Sequence, residues 1–141
     1  MDIISEEGDP VSFVARHIEA LGRLWQSRIE LSLTDWATQL ERAEALAAEP
    51  GSMEFDDGER CVLCVERALR RVSRFVPGAT CIHRALAAQR MLVGRGLQTE
   101  VVIGLRRQQD EIEGHAWIEV HHRDRIWRAF WGDGARYSVV R

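Results

Sequence analysis

The sequence predicts an α+β domain in which helices come first along the chain and strands come last. From residue 10 to about residue 92, apolar residues recur every three or four positions, a spacing typical of amphipathic helices. From Leu97 onward, apolar and polar residues alternate, as they do in half-buried strands. Because the strands follow one another without a helix between them, we expect a small antiparallel sheet packed on the helices.

Local start and stop signals divide the first part of the chain into four helices. They begin at Pro10, within residues 32–35, at about Gly58 and at Cys81. The first helix has an apolar stripe that includes Trp25, which we expect to lie in the core. The fourth helix should stop at residues 94–96, where two glycines flank an arginine.

The second part of the chain contains four stretches with strand character. They cover residues 97–105, 115–120, 126–131 and 137–140, the last of them short. Residues 106–113 are polar, and we expect them to form a connection rather than a strand.

Composition and charge exclude several classes of protein. The chain has 141 residues, 45% of them hydrophobic, which suits one domain with a core of its own. No apolar run is long enough to cross a membrane, and the acidic N-terminus is not a signal peptide, so we expect a cytoplasmic protein. An odd number of cysteines, three, argues against a disulfide framework. With a net charge of −3 and no basic surface interleaved with aromatic residues, nucleic acid is not an expected partner.

Cys81 and His115 are the residues whose placement suggests chemistry. Pro77-Gly78 forms a turn and Thr80 offers a cap, so Cys81 takes the first position of a helix, where unpaired N–H groups and the helix dipole favour an anion. His115 begins a strand. A cysteine at a helix start and a histidine at a strand start can meet at one end of a sheet that packs on that helix, which would let the imidazole act as a base toward the thiol.

The remaining cysteines favour a structural interpretation. Cys61 and Cys64 have CxxC spacing, but both fall inside a predicted helix beside buried positions, so we expect plain core cysteines. A zinc site made of these two with Cys81 and His83 lacks the second closely spaced pair of ligands that such sites have, so we predict no metal and no cofactor. His83 is expected at the surface.

Several blocks of the sequence, in this order and spacing, resemble the transglutaminase-like cysteine proteases. The blocks are CIHRALA (81–87), LVGRGL (92–97), VVIGL (101–105) and GHAWIEV (114–120). Within that superfamily, the chain is most similar to the leader peptidase of lasso-peptide biosynthesis, the peptidase half of the maturation protein B. The resemblance covers about residues 58–141, which we take as the peptidase core. We expect residues 1–57 to form acidic helices that pack on this core or belong to the same domain.

The resemblance implies a papain-like fold and a Cys-His-Asp triad. Carried over, Cys81 is the nucleophile and His115 the base. The acid belongs on the strand that follows His115, where this sequence departs from the family pattern because its hairpin is longer. Asp133 is the first choice for that acid, with Asp124 and Glu119 as alternatives.

The resemblance also implies a biological role and partners. Such a peptidase removes the leader from a ribosomally made precursor, and a cyclase uses the new amine. Residues 1–57 carry no strand signals of a leader-recognition domain, so the chain is expected to work with a separate leader-binding protein, without a membrane. Two other functions stay open: acyl transfer to an amine through the same thioester, and a non-catalytic peptide-binding scaffold.

Overall fold

The computed structural model describes residues 10–52, 58–132 and 134–140, and it confirms the predicted α+β class. Its helices are α1 (Pro10–Leu33), α2 (Trp36–Ala47), α3 (Gly58–Val72) and α4 (Cys81–Gly94). Its strands are β1 (Gln98–Gln108), β2 (Glu111–His122), β3 (Arg125–Ala129) and β4 (Ser138–Val139). None of the described helices combines the length and apolar character that crossing a bilayer requires.

Helix α4 lies at the centre of the packing. It contacts α1 and α3 on one side and strands β1 and β2 on the other. Nine of its 14 residues are buried, and alanines at 85, 87 and 88 allow its neighbours to approach closely. The first residue of this central helix is Cys81, so the position of that thiol follows from the main packing of the domain.

Polar side chains of α4 attach the two N-terminal helices to it. The amide of Gln89, which is buried, donates to the carbonyl oxygen of Ala43 in α2 at 2.9 Å. Arg90 pairs with Glu30 of α1 at 2.6 Å. Burial by itself would raise the pKa of Glu30, but hydrogen bonds from Arg90 and Gln26 outweigh it and lower that pKa.

Helix α1 buries a different face from the one that the sequence suggested. Ala20 and Leu24 are fully buried, whereas Trp25 is 40% exposed and Ile18 and Ile29 lie at the surface. The prediction that Trp25 belongs to the core is therefore wrong. Apolar residues surround much of this helix, so periodicity alone did not determine which of two adjacent stripes contacts α4.

The sheet is antiparallel with strand order β3-β2-β1-β4. Residues 106–113, predicted as a polar connection, instead extend the β1–β2 hairpin to a turn at Gln109 and Asp110. Both faces of this extension are exposed, so the apolar alternation that identifies a strand is absent, while an ion pair between Arg106 and Glu113 at 2.7 Å joins the two strands.

Two leucines of α3 provide a matched test of the core. Leu69 is fully buried, whereas Leu63, six residues earlier on the same helix, is 43% exposed. Replacing Leu69 with alanine should lower the free energy of unfolding by about 2–5 kcal/mol, because it removes buried methyl groups and leaves a cavity. Leu63→Ala should cost about 1 kcal/mol or less. Urea denaturation of both variants measures the difference, and equal losses would contradict this packing.

Candidate active site

Cys81 is half-buried at the N-terminus of α4, where the sequence predicted it. Thr80 before it is extended, and the N–H of Arg84 donates to the carbonyl of Thr80 at 3.1 Å, which closes the first helical turn. The preceding turn uses Gly78 at φ +82° and is held by Arg28 of α1, whose Nε donates to the carbonyl of Pro77 at 3.3 Å. The thiol is therefore placed by both the central helix and α1.

His83 caps the same helix through its ring. Its Nδ1 accepts the backbone N–H of Thr80 at 2.9 Å and lies 3.0 Å from the Thr80 hydroxyl. A backbone N–H can only donate, so Nδ1 carries the lone pair and the ring is neutral with its hydrogen on Nε2. His83 is 9% exposed, so its predicted surface position is wrong. Burial, followed by the charges of Arg28 and Arg84, lowers the pKa of His83.

His115 stands on β2 with its ring orientation fixed by a backbone group. Its Nε2 is 3.0 Å from the carbonyl oxygen of Trp131. Because a carbonyl only accepts, Nε2 must carry the hydrogen, and Nδ1 keeps the lone pair that a general base needs. The rings of Tyr137 and Trp117 lie 5.2 Å and 5.5 Å from that of His115, centroid to centroid, and restrict its movement.

A backbone turn after β3 brings the Trp131 carbonyl to His115. Phe130 adopts φ +62°, a left-handed conformation that is rare for a bulky side chain. Its N–H donates to the carboxylate of Glu66 on α3 at 2.9 Å, which holds the strained residue in place. The same conformation ends β3 at Ala129, two residues earlier than the predicted strand end.

This turn also connects β2, which carries His115, with α4, which carries Cys81. The guanidinium of Arg84, on α4, lies 5.9 Å from the ring centroid of Phe130, while the next residue, Trp131, contacts His115. Helix α4 packs directly on β2. Two consecutive residues thus contact the Cys81 helix and the His115 ring.

The three candidate acids lie in different places. Glu119 is on the same strand face as His115 but four residues away, about 13 Å at the usual strand rise, and it is paired with Arg128 at 3.2 Å. Asp124 lies in the β2–β3 turn, at the far end of β2 from His115. Asp133, the predicted acid, lies outside the described residues. It follows Trp131 by two positions in the sequence.

Arg84 gives the thiol a cationic neighbour. The pKa of Arg84 is lowered by burial and by the nearby charge of Arg70, while an ionised Cys81 acts in the opposite direction.

The described side chains that could bind a metal ion come together away from Cys81 and His115. Within the described ranges, the group that could hold a cation is Glu100, Glu119 and His121 on the exposed side of the sheet. Cys61, Cys64, Cys81 and His83 do not form such a group, so the zinc alternative lacks support, and Cys64 is buried as a core cysteine should be. A cleft of 510 Å³ between α2 and β1 contains neither Cys81 nor His115 in its lining.

Comparison with known proteins identifies the superfamily. The profile of the transglutaminase-like superfamily matches residues 23–140, most of the chain. The chain therefore belongs to the transglutaminase-like superfamily, whose members are typically cysteine proteases or acyltransferases. No curated protein matches it. The match begins within α1, so it includes residues before the segment in which the sequence blocks occur.

Protonation of His83 should weaken the start of α4. Its folded-state pKa lies below the ordinary value of 6.5, so the unfolded chain binds a proton more readily, and stability falls as pH decreases below about 6.5. His83→Gln retains an acceptor for the Thr80 N–H but does not titrate. We expect this variant to lose less stability than the wild type between about pH 7.5 and 5.5, measured by thermal unfolding.

A second variant at the same position separates the cap from the titration. His83→Ala removes the acceptor and should cost about 1 kcal/mol even at pH 7.5. If all three proteins had the same pH dependence, His83 would not be the group responsible.

Two glycines of the β1–β2 hairpin test the support of His115. A Cβ at Gly104, which pairs with His115, would lie 2.7 Å from the Cβ of Tyr137, so Gly104→Ala should cost about 1–3 kcal/mol and displace that ring. A Cβ at Gly114 would meet Leu105 at an ordinary 3.5 Å. Gly114→Ala should therefore change stability by less than about 0.5 kcal/mol. Urea denaturation that ranks the two variants in the opposite order would contradict this packing.

Proposed function

We propose that the protein is a cysteine peptidase that removes the leader from a lasso-peptide precursor, acting with a separate leader-binding protein and a cyclase. Membership of the superfamily supports the cysteine chemistry. The narrower role is supported by the resemblance of the blocks at 81–97 and 101–120 to lasso leader peptidases.

The observation that carries the catalytic part of the proposal is the orientation of His115. With Nε2–H donated to the Trp131 carbonyl, the basic nitrogen of the ring is Nδ1, the nitrogen that we assign as the base toward the thiol. A histidine of the opposite tautomer would present an N–H to the nucleophile and could not accept its proton.

The proposed reaction proceeds through a thioester. Nδ1 of His115 takes the thiol proton, and the sulfur of Cys81 attacks the carbonyl carbon of the scissile peptide bond. When the C–N bond breaks, His115 gives that proton to the leaving nitrogen, which becomes the new N-terminal amine. Water, deprotonated by His115, then attacks the thioester, which releases the leader as a carboxylic acid and restores the thiol. Asp133 is assigned to stabilise the imidazolium as its counter-charge.

Mass spectrometry of the precursor, incubated with this protein and its leader-binding partner, tests the proposal. We expect an intact leader and a free core peptide, each of the mass that hydrolysis gives. Cys81→Ala and His115→Ala should abolish both products, while Cys61→Ala should retain them. An amine adduct at the new carboxyl end would instead indicate acyl transfer, and no product with any precursor would favour a scaffold.

Three conservative variants identify the acid. Asp133→Asn should lower kcat by about a hundredfold, because the imidazolium loses its counter-charge. Asp124→Asn and Glu119→Gln are matched controls and should retain activity, since one lies at the far end of β2 and the other is paired with Arg128. Full activity of Asp133→Asn would mean that Cys81 and His115 act as a dyad.

A further inference from the structure

Among the residues that the structure describes, Arg84 differs from the neighbouring arginines of the central packing in forming no ion pair with a carboxylate. Arg90 is paired with Glu30, Arg95 of the segment after α4 with Glu19, and Arg70 with Glu66. Within residues 10–52, 58–132 and 134–140, Arg84 contacts the Phe130 ring but no carboxylate. A half-buried cation is normally paired, so an unmatched one next to a reactive group suggests a ligand of opposite charge.

The carboxylate of Glu66 is close by but already engaged. It accepts hydrogen bonds from Arg70 and from the N–H of Phe130, both at 2.9 Å. Moving it to Arg84 would release the strained backbone of Phe130. Its present contacts therefore leave Arg84 available to another anion.

The surroundings of Arg84 favour an anion and fix the plane of its guanidinium. The pKa of Arg84 is lowered first by burial and also by Arg70, against the opposing effect of an ionised Cys81, and a bound carboxylate would compensate the charge of the half-buried guanidinium. Both guanidinium groups face the ring of Phe130, at 5.0 Å for Arg70 and 5.9 Å for Arg84. A planar guanidinium held against an aromatic ring can bind a carboxylate through two parallel hydrogen bonds.

We infer that Arg84, backed by Phe130, forms a carboxylate-binding subsite that positions an acidic group of the peptide substrate next to Cys81. Arg84 follows Cys81 by three residues on the same helix, which places the two side chains on one face. As a statement about substrate, the inference rests on the proposed peptidase function. The carboxylate belongs either to an acidic side chain near the scissile bond or to a peptide C-terminus.

Alkylation of Cys81 tests the subsite without any peptide. Iodoacetate and iodoacetamide are similar in shape and differ in charge, so the ratio of their rates at Cys81 reports an anion-attracting neighbour. Arg84→Gln should lower the ratio of iodoacetate to iodoacetamide about fivefold, and Arg84→Lys should retain most of it. Arg74→Gln, which removes an exposed charge stacked on Phe75, is the matched control and should leave the ratio unchanged.

The same experiment excludes a role of Arg84 limited to the thiolate. If the guanidinium only stabilised the ionised sulfur, Arg84→Gln would slow both reagents equally and the ratio would not move. That outcome overturns the inference. Peptide mapping assigns the modification to Cys81 rather than to Cys61 or Cys64, so the ratio of iodoacetate to iodoacetamide rates refers to Cys81 alone.

Peptide cleavage then identifies the source of the carboxylate. Replacing each acidic residue near the cleavage site by its amide should raise KM in the wild type at one position and have no effect in Arg84→Gln. If only conversion of the peptide's C-terminal carboxylate to an amide has this effect, the subsite binds a chain end. If every substitution raises KM equally in both proteins, the inference is wrong. If the wild type cleaves no precursor, the peptidase proposal fails, and the alkylation ratio still decides whether Arg84 attracts anions.

Discussion

The burial of α4 is the constraint from which most of this structure follows. A polar side chain on a helix surrounded by other elements loses hydrogen bonds to water, so bonds to the neighbouring elements are favoured in their place. Gln89 and Arg90 therefore determine where α2 and α1 attach, and His83 caps the end that carries Cys81. Cys81, at the first position of this helix, is only half-buried.

A second constraint comes from the backbone after β3. A hydrogen bond from the N–H of Phe130 to Glu66 offsets the cost of its left-handed conformation. The turn that results directs the carbonyl of Trp131 at His115. Helix α3 thus influences the histidine without touching it. The chain uses a main-chain oxygen where a side-chain partner was expected, and this oxygen specifies the same tautomer that a carboxylate at Nε2 would.

Features set by neighbouring residues were predictable from the sequence, and features set by distant ones were not. Pro10 and Cys81 begin their helices as predicted, because proline and capping signals act within one turn. The Thr-x-x-His spacing at Thr80 and His83 was visible and could have suggested a cap, since the acceptor is normally glutamate or glutamine at that position. The buried stripe of α1 and the contact between Trp131 and His115 depend on which surfaces meet, so no local pattern contains them. Asp133 stays a prediction that rests on the family resemblance.

Trp131 contacts His115 through its main-chain carbonyl oxygen, so the contact does not depend on which amino acid occupies position 131. A saturation scan of the chain would therefore find tolerance at 131 to any side chain that fits the space. Sensitivity would instead fall on Phe130 and Gly132, whose φ angles of +62° and +52° shape the turn. Only an amide-to-ester replacement that weakens this one carbonyl would expose the contact directly. A residue can thus be essential to a site through its backbone, whatever its side chain contributes to the packing.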